Sequence, residues 1–412
     1  MDSKNTGQDS SKPIKGILIS TISSEIRKSS TEEDLALVFF EAPTIMAACF
    51  TKNSFAAAPV IMSKENIKNF EIPFSGALVI NSGCANAGTG VTGKLDCEKI
   101  TKLLGKKLTI PNHMILPFST GPIMERLPMK IIEKNINKLI SNLGNSNLLN
   151  LAKTIMTTDT KPKIFKKKLI LNNKLVTITG IAKGSGMISP NMATMLAFIF
   201  TDVKLNYKDL KQLVDEATRT FFNRISVDGD TSTNDSVIAC ANATSEVQVN
   251  STDDCYKRDW KNFKDSFLKI CFNLAKSIVL DGEGATKFIT IKVMNVISEE
   301  EIQLVGGAIA NSPLVKTAFY ASDPNLGRIL AAIGNAEIQN FKIDDLELKI
   351  NDYCVFKHGE ISVDYDESVA KKEMNNKEIV VEVNLKRGKI TGNFYSCDFS
   401  HEYITINSDY RS

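Results

Sequence analysis

The chain has 412 residues, 43% apolar and 24% charged, with 50 lysines and arginines against 47 aspartates and glutamates. That balance belongs to a globular protein of two domains or one large α/β body. A net charge of +3 exerts no strong pull toward nucleic acid or a membrane surface, and no apolar run approaches the roughly 20 residues of a span.

The opening MDSKNTGQDSSKP lacks the apolar core of a signal peptide, so residues 1–14 read as a disordered tail. β-Branched and aromatic content predicts strands in LALVFFEA (35–42), GALVINSG (76–83) and LILNNKLVTITGIA (169–182). DCEKITKLLGKK (96–107) reads as a helix, and the lysine cluster of 163–174 as the edge of a strand. Apolar residues at helical spacing predict helices over Tyr207–Ile225 and Trp260–Leu280. KFITIKVMNV, EIVVEVNL and KITGNFYSCDF return to strand pattern. The fold class is α/β or α+β with mixed rather than purely parallel sheets. Eight scattered cysteines with no C-x-x-C pair exclude a zinc ribbon and a redox motif, and fit a reduced, cytoplasmic protein.

The most informative stretch is KGSGMISPNMATML, Lys183 to Leu196. It sets Thr194 directly after Ala193 and ahead of the apolar MLAFIF. A threonine hydroxyl needs a neighbouring base to act as a nucleophile. Cutting the chain just before it would free an α-amine with a reference pKa of roughly 7.7–8.0, suited to that task. Gly184 and Gly186 would permit the backbone geometry of such a cut. On local composition alone the stretch is equally a Gly-Ser loop entering a buried element.

This run resembles the self-processing segment of the ornithine acetyltransferase family, the bifunctional acetyltransferases of arginine biosynthesis. The likeness recurs in FTKNSFAAAPV (50–60), STG (119–121), TTDTKPK (157–163) and NRISVDGDTSTND (223–235). It continues through DGEGATK (281–287), DPNLGRILAAIG (323–334) and YITINSDYRS (403–412), in family order over nearly the whole chain. The resemblance implies an N-terminal-nucleophile fold. Self-cleavage between Ala193 and Thr194 would give pieces 15–193 and 194–412 that fold as one unit. It makes Thr194 the nucleophile and acetyl acceptor, and Thr120 and Gly121 the oxyanion hole. It assigns Thr157, Lys183, Thr194, Glu283, Asn407 and Ser412 to substrate, with Thr158 an adjacent alternative to Thr157. The implied reaction moves the acetyl group of N-acetyl-L-ornithine to L-glutamate with no metal or bound cofactor. Some members also accept acetyl-CoA, and the sequence leaves that open. The implied assembly is a heterotetramer of two α and two β pieces.

Other readings compete. Asp228, Asp230 and Asp235 suggest a metal loop, but an EF-hand would need glycine where Thr233 stands and a glutamate at its twelfth position. A phosphatase DxDx[TV] motif fails at Ser232. The block therefore reads as a polar loop supporting the site. Gly88-Thr-Gly90-Val-Thr-Gly93-Lys94 imitates a nucleotide loop, yet Leu95 stands where a P-loop needs Ser or Thr. Only His113, His358 and His401 are present, none near a plausible serine nucleophile, which argues against a Ser-His-Asp hydrolase. An N-terminal-nucleophile aminopeptidase, passing the acyl group to water, is the nearest rival. Against the family pattern, Cys84, Gly88 and Pro122 stand where other residues are usual. Leu326 replaces a common tryptophan and is expected to loosen a contact beneath the site.

Overall fold

A computed structural model describes residues 11–27, 31–189 and 195–409. The first part carries β1 (Ile17–Ile22), β2 (Leu35–Phe40), β3 (Ile45–Phe50), α1 (Ala58–Asn66), β4 (Ala77–Ser82) and α2 (Gly90–Leu108). It continues with β5 (Ile115–Thr120), α3 (Met129–Ser141), α4 (Leu148–Thr154), β6 (Lys163–Leu171) and β7 (Lys174–Lys183). After position 194 come β8 (Leu196–Thr201), α5 (Tyr207–Thr220), β9 (Ile225–Ser226), β10 (Ser236–Ala241), α6 (Lys257–Leu280) and β11 (Phe288–Val296). Then follow α7 (Glu299–Ala310), α8 (Pro313–Ala321), α9 (Leu326–Gly334), β12 (Glu347–Ile350), β13 (Tyr353–Lys357) and β14 (Glu360–Ile361). Last are α10 (Glu367–Met374), β15 (Glu378–Asn384), β16 (Ile390–Cys397) and α11 (His401–Asp409).

The strands form three mixed sheets in the orders β1-β2-β4-β5, β3-β10-β8-β7-β6 and β14-β13-β12-β15-β11-β16-β9. β4 and β5, β10 and β8, and β11 and β15 pair parallel; β6, β7 and β8 form an antiparallel run. The first two sheets pack face to face, with Val38, Leu78 and Phe118 of one in the same core as Phe198, Phe200 and Ile238 of the other. Phe118 and Phe198 meet edge to face at 5.2 Å between centroids, worth about 0.5–1.5 kcal/mol beyond the area they bury.

The outer faces take helices. Ile100 and Leu104 of α2 and Ile132, Ile136 and Leu139 of α3 cover the four-stranded sheet. Leu210, Leu213, Val214 and Ala217 of α5 fall at the i, i+3, i+4, i+7 spacing of one helix face and cover the five-stranded sheet together with α6. The result is a helix–sheet–sheet–helix stack, with the seven-stranded sheet and α7–α10 forming a separate core beside it. Every residue of β8, LAFIFT, is buried, as a strand flanked by apolar layers on both faces requires.

Four expectations are corrected. LILNNKLVTITGIA is a hairpin, not one strand: Asn172 and Asn173 both take positive φ, 45° and 58°, the geometry of a two-residue hairpin turn. The helix from Tyr207 ends at Thr220; a 3₁₀ turn, Phe222–Arg224, follows, and Ile225 joins β9 against β16. Residues 11–14 are not a loose tail, because the Leu148 N–H donates to the Ser11 carbonyl and Ile14 is buried. Leu326 belongs to the core of the seven-stranded sheet rather than to a layer beneath the pocket.

Candidate active site

The register between β7 and β8 locates the site. Lys183, the last residue of β7, pairs with Leu196, the first of β8. The segment of 184–195 therefore joins two neighbouring antiparallel strands, and Thr194 falls two positions before the sheet. Ala193 and Thr194 lie outside the described residues, as does Ser412. The next residue, Met195, is held from two sides: its N–H donates to Asp235 Oδ1 at 2.9 Å, and its carbonyl accepts the Ser236 N–H at 3.1 Å.

A cleft opens at this end of the sheet. Its walls include Thr120, Gly121, Thr157, Lys183, Glu283 and Asn407, so six assigned residues from five distant blocks of sequence converge on one pocket. Thr158 lines it too, but its hydroxyl is 2.6 Å from Ser185 Oγ, whereas the Thr157 hydroxyl meets no partner among the described residues. That favours Thr157 as the one left for a ligand. None of the three histidines lines the cleft.

Thr120 and Gly121, the pair expected to form the oxyanion hole, sit where β5 ends. Gly121 has φ 137°, and a Cβ there would collide with the backbone of Gly83 and Cys84. Glycine is required at this position on both counts. The Cys84 N–H donates to the Thr120 carbonyl at 3.1 Å, and the Ala85 N–H to the Pro122 carbonyl at 3.0 Å. Asn234 ties the same wall to the central sheet, donating to the carbonyls of Ala85 at 2.7 Å and Ser119 at 2.9 Å.

Lys183 is buried, which lowers its pKa against the opposing pull of Asp159. Burial alone would raise the Asp159 carboxyl, but the charges of Lys183 and Lys163 hold it below its ordinary value. Asp159 accepts from the Gly184 N–H at 2.6 Å, Lys163 Nζ at 2.6 Å and the Thr157 N–H at 3.1 Å. One carboxylate thus positions Thr157, Lys183 and the start of the 184–195 segment. Glu283, also buried, lies so close to Gly186 that a Cβ there would overlap its carboxylate. Its N–H donates to the Ser185 carbonyl at 2.9 Å, and Oε2 accepts from Asn407 Nδ2 on α11 at 2.8 Å.

The acidic block of 223–235 turns its carboxylates toward backbone. Asp228 accepts from the N–H groups of Met187 at 2.6 Å and Ile188 at 2.9 Å, while Asp235 takes that of Met195. The two aspartates bracket the segment around Thr194. Sequence reasoning named the block but not these roles, nor that of Asp159. The Gly88–Lys94 loop leads into α2, which begins at Gly90, so Gly93 and Lys94 already lie in the helix. Gly93 packs against Thr89 and Asn86 with no room for a Cβ, and the Asn86 side chain donates to the Gly93 carbonyl at 3.1 Å. This is a structural turn.

Stacked sheets between helices, with a polar cleft at the head of a central strand, define a mixed α/β fold. The ArgJ family model matches residues 18–412. The chain is 42% identical over 403 residues to the arginine biosynthesis bifunctional protein ArgJ of Neisseria meningitidis serogroup A, covering 97% of this chain and 96% of that one. The Neisseria gonorrhoeae protein of the same description matches to the same extent. Among solved structures, ArgJ from Bacillus halodurans is 33% identical and covers 52% of this chain and 98% of that chain, with a TM-score of 0.48. An ornithine acetyltransferase from Mycobacterium tuberculosis complexed with ornithine is 29% identical, covering 43% and 92%, with a TM-score of 0.37. The chain belongs to the ArgJ family.

Proposed function

We propose that the protein is an arginine-biosynthesis acetyltransferase that cleaves itself between Ala193 and Thr194 and then carries an acetyl group on Thr194. The observation that supports this best is the convergence of Thr120, Gly121, Thr157, Lys183, Glu283 and Asn407 on one cleft beside the start of β8. In the first half-reaction the Thr194 hydroxyl attacks the acetyl carbonyl of N-acetyl-L-ornithine, and the α-amine of Thr194 takes its proton. The Thr120 hydroxyl and Gly121 N–H receive the charge on the tetrahedral oxygen. The Glu283 carboxylate, oriented by Asn407, suits the cationic amine of ornithine, and Lys183 suits a substrate carboxylate. Ornithine leaves, L-glutamate attacks the acetyl-threonine, and N-acetylglutamate departs.

The cycle as written needs no metal or bound cofactor, and acetyl-CoA as a second acetyl donor is part of the reading. So are a cytoplasmic location, a tetramer of two cleaved copies, and a closing role for Ser412. Among the described residues no helix is long and apolar enough to cross a membrane. The test is the denaturing mass of the purified chain followed by a transfer assay. Two fragments split at Ala193–Thr194 and glutamate-dependent release of ornithine are expected. An intact chain would sink the mechanism, and release that is independent of glutamate would favour an aminopeptidase instead.

A further inference from the structure

The base used for acetyl transfer does not exist before the chain is cut. While Thr194 is still joined to Ala193, its nitrogen is an amide without a basic lone pair. The first cleavage therefore needs another proton acceptor close to position 194. Two buried titratable groups flank the start of β8, Lys183 opposite Leu196 and Asp235 against Met195. Burial lowers the Lys183 pKa, but the Asp159 charge opposes that shift and favours the protonated amine, which suits Lys183 to binding an anion. Asp235 is a different case. It is fully buried, Oδ1 accepts the Met195 N–H at 2.9 Å, and the Ser232 and Thr51 hydroxyls stand beside the carboxylate without closing a well-formed hydrogen bond to Oδ2. A buried carboxylate oxygen without a well-formed hydrogen bond is costly and calls for an explanation.

We propose that Asp235 is the general base of self-cleavage, its Oδ2 accepting the proton of the Thr194 hydroxyl. The inference rests on the self-cleavage reading above. The Thr194 oxygen attacks the Ala193 carbonyl carbon as its proton passes to Asp235. The Ala193–Thr194 C–N bond then breaks, and the same proton is delivered to the leaving nitrogen. An ester between the Ala193 carbonyl and the Thr194 oxygen results, with a free α-amine. Water hydrolyses the ester to the Ala193 carboxylate and the Thr194 hydroxyl, and Asp235 ends as it began. Burial raises the Asp235 carboxyl well above its ordinary pKa, so a smaller share is ionised but each anion is a stronger proton acceptor.

Asp235→Asn separates this role from simple anchoring, because the amide oxygen can still accept the Met195 N–H while the basic oxygen is lost. Wild type, D235N, D235E and T194A would be made by cell-free synthesis and followed by denaturing mass. The expected result is cleavage at least about 100-fold slower in D235N, in line with the usual contribution of a general base. D235N should melt with the uncut T194A chain, and D235E should recover cleavage. Hydroxylamine, which opens esters, should leave uncut D235N whole. Cleavage of D235N within about threefold of wild type would overturn the proposal alone, since general-base loss costs far more. So would a D235N chain that hydroxylamine splits, because the ester would have formed without the base. D235N melting well below T194A, with D235E also uncut, would reduce Asp235 to a structural group. A wild-type chain that stays whole would overturn both this inference and the function on which it rests.

Discussion

Asp159 carries three jobs on one carboxylate, with Lys183, Lys163 and two backbone N–H groups converging on it. Breaking a buried charge arrangement by removing one partner costs about 3–5 kcal/mol. Asp159→Asn should therefore lower the melting temperature and cut kcat/KM, and calorimetry with steady-state kinetics would read both. The sign of the pH effect is fixed by the depressed Asp159 pKa. Its stabilisation is present above the unfolded value of about 4 and is lost as pH falls through the folded one. Wild type should consequently lose its stability advantage over D159N in acid, which melts taken between pH 6 and 2 would record. Glu283→Gln keeps the shape and the Asn407 contact but removes the charge. KM for acetylornithine should rise about 10- to 100-fold, the range of one charged hydrogen bond, with a smaller change in kcat.

At the scale of elements, the segment ahead of Thr194 is held by a carboxylate with an unusual titration. Burial raises Asp228 from 3.8 to about 6 despite the N–H groups of Asp230, Met187 and Ile188 that it accepts. The folded state therefore holds a proton that the unfolded state has released between about pH 4 and 6, and stability falls as pH rises through that window. The shift corresponds to about 3 kcal/mol. A carboxyl carbon resonance for Asp228 titrating near 6, absent in D228N, would verify it. Gly186→Ala tests the opposite wall: the added methyl must displace the Glu283 carboxylate, so substrate binding should weaken more than stability. Strands were legible where β-branched residues cluster, as in KFITIKVMNV and EIVVEVNL, because such runs have few other folded uses. The Asn172-Asn173 turn was not, although paired asparagines are themselves a hairpin signal. Thr120, Glu283 and Asn407 could be named from resemblance, but composition alone would have left each a turn or surface residue. The holds of Asp159 on Gly184 and of Asp235 on Met195 stayed hidden because they span 25 and 40 positions, and no local pattern encodes such pairs.

The whole molecule is stitched across the proposed cleavage point. In the five-stranded sheet β3, β6 and β7 precede it and β8 and β10 follow, with β10 and β8 inserted between β3 and β7. A fragment of residues 1–193 made alone would lack the two central strands and leave apolar edges open. It should be insoluble or unfolded, whereas co-expression with 194–412 should yield a complex that stays together through gel filtration and parts only in denaturant. The mixed fold itself was foreseeable from alternating strand and helix patterns. The stacking of two sheets was not, since LALVFFEA and LAFIFT carry nothing that says they face one another.

A sheet woven from strands on both sides of one peptide bond also changes what melting means once that bond is cut. Before the cut, unfolding and refolding are events within a single molecule. Afterwards, recovery requires two polypeptides to find each other, so the midpoint depends on protein concentration and dilute samples fail to return. The mature protein would persist through a slow rate of opening rather than by refolding. Its shelf life would then be set by how seldom β7 and β8 come apart.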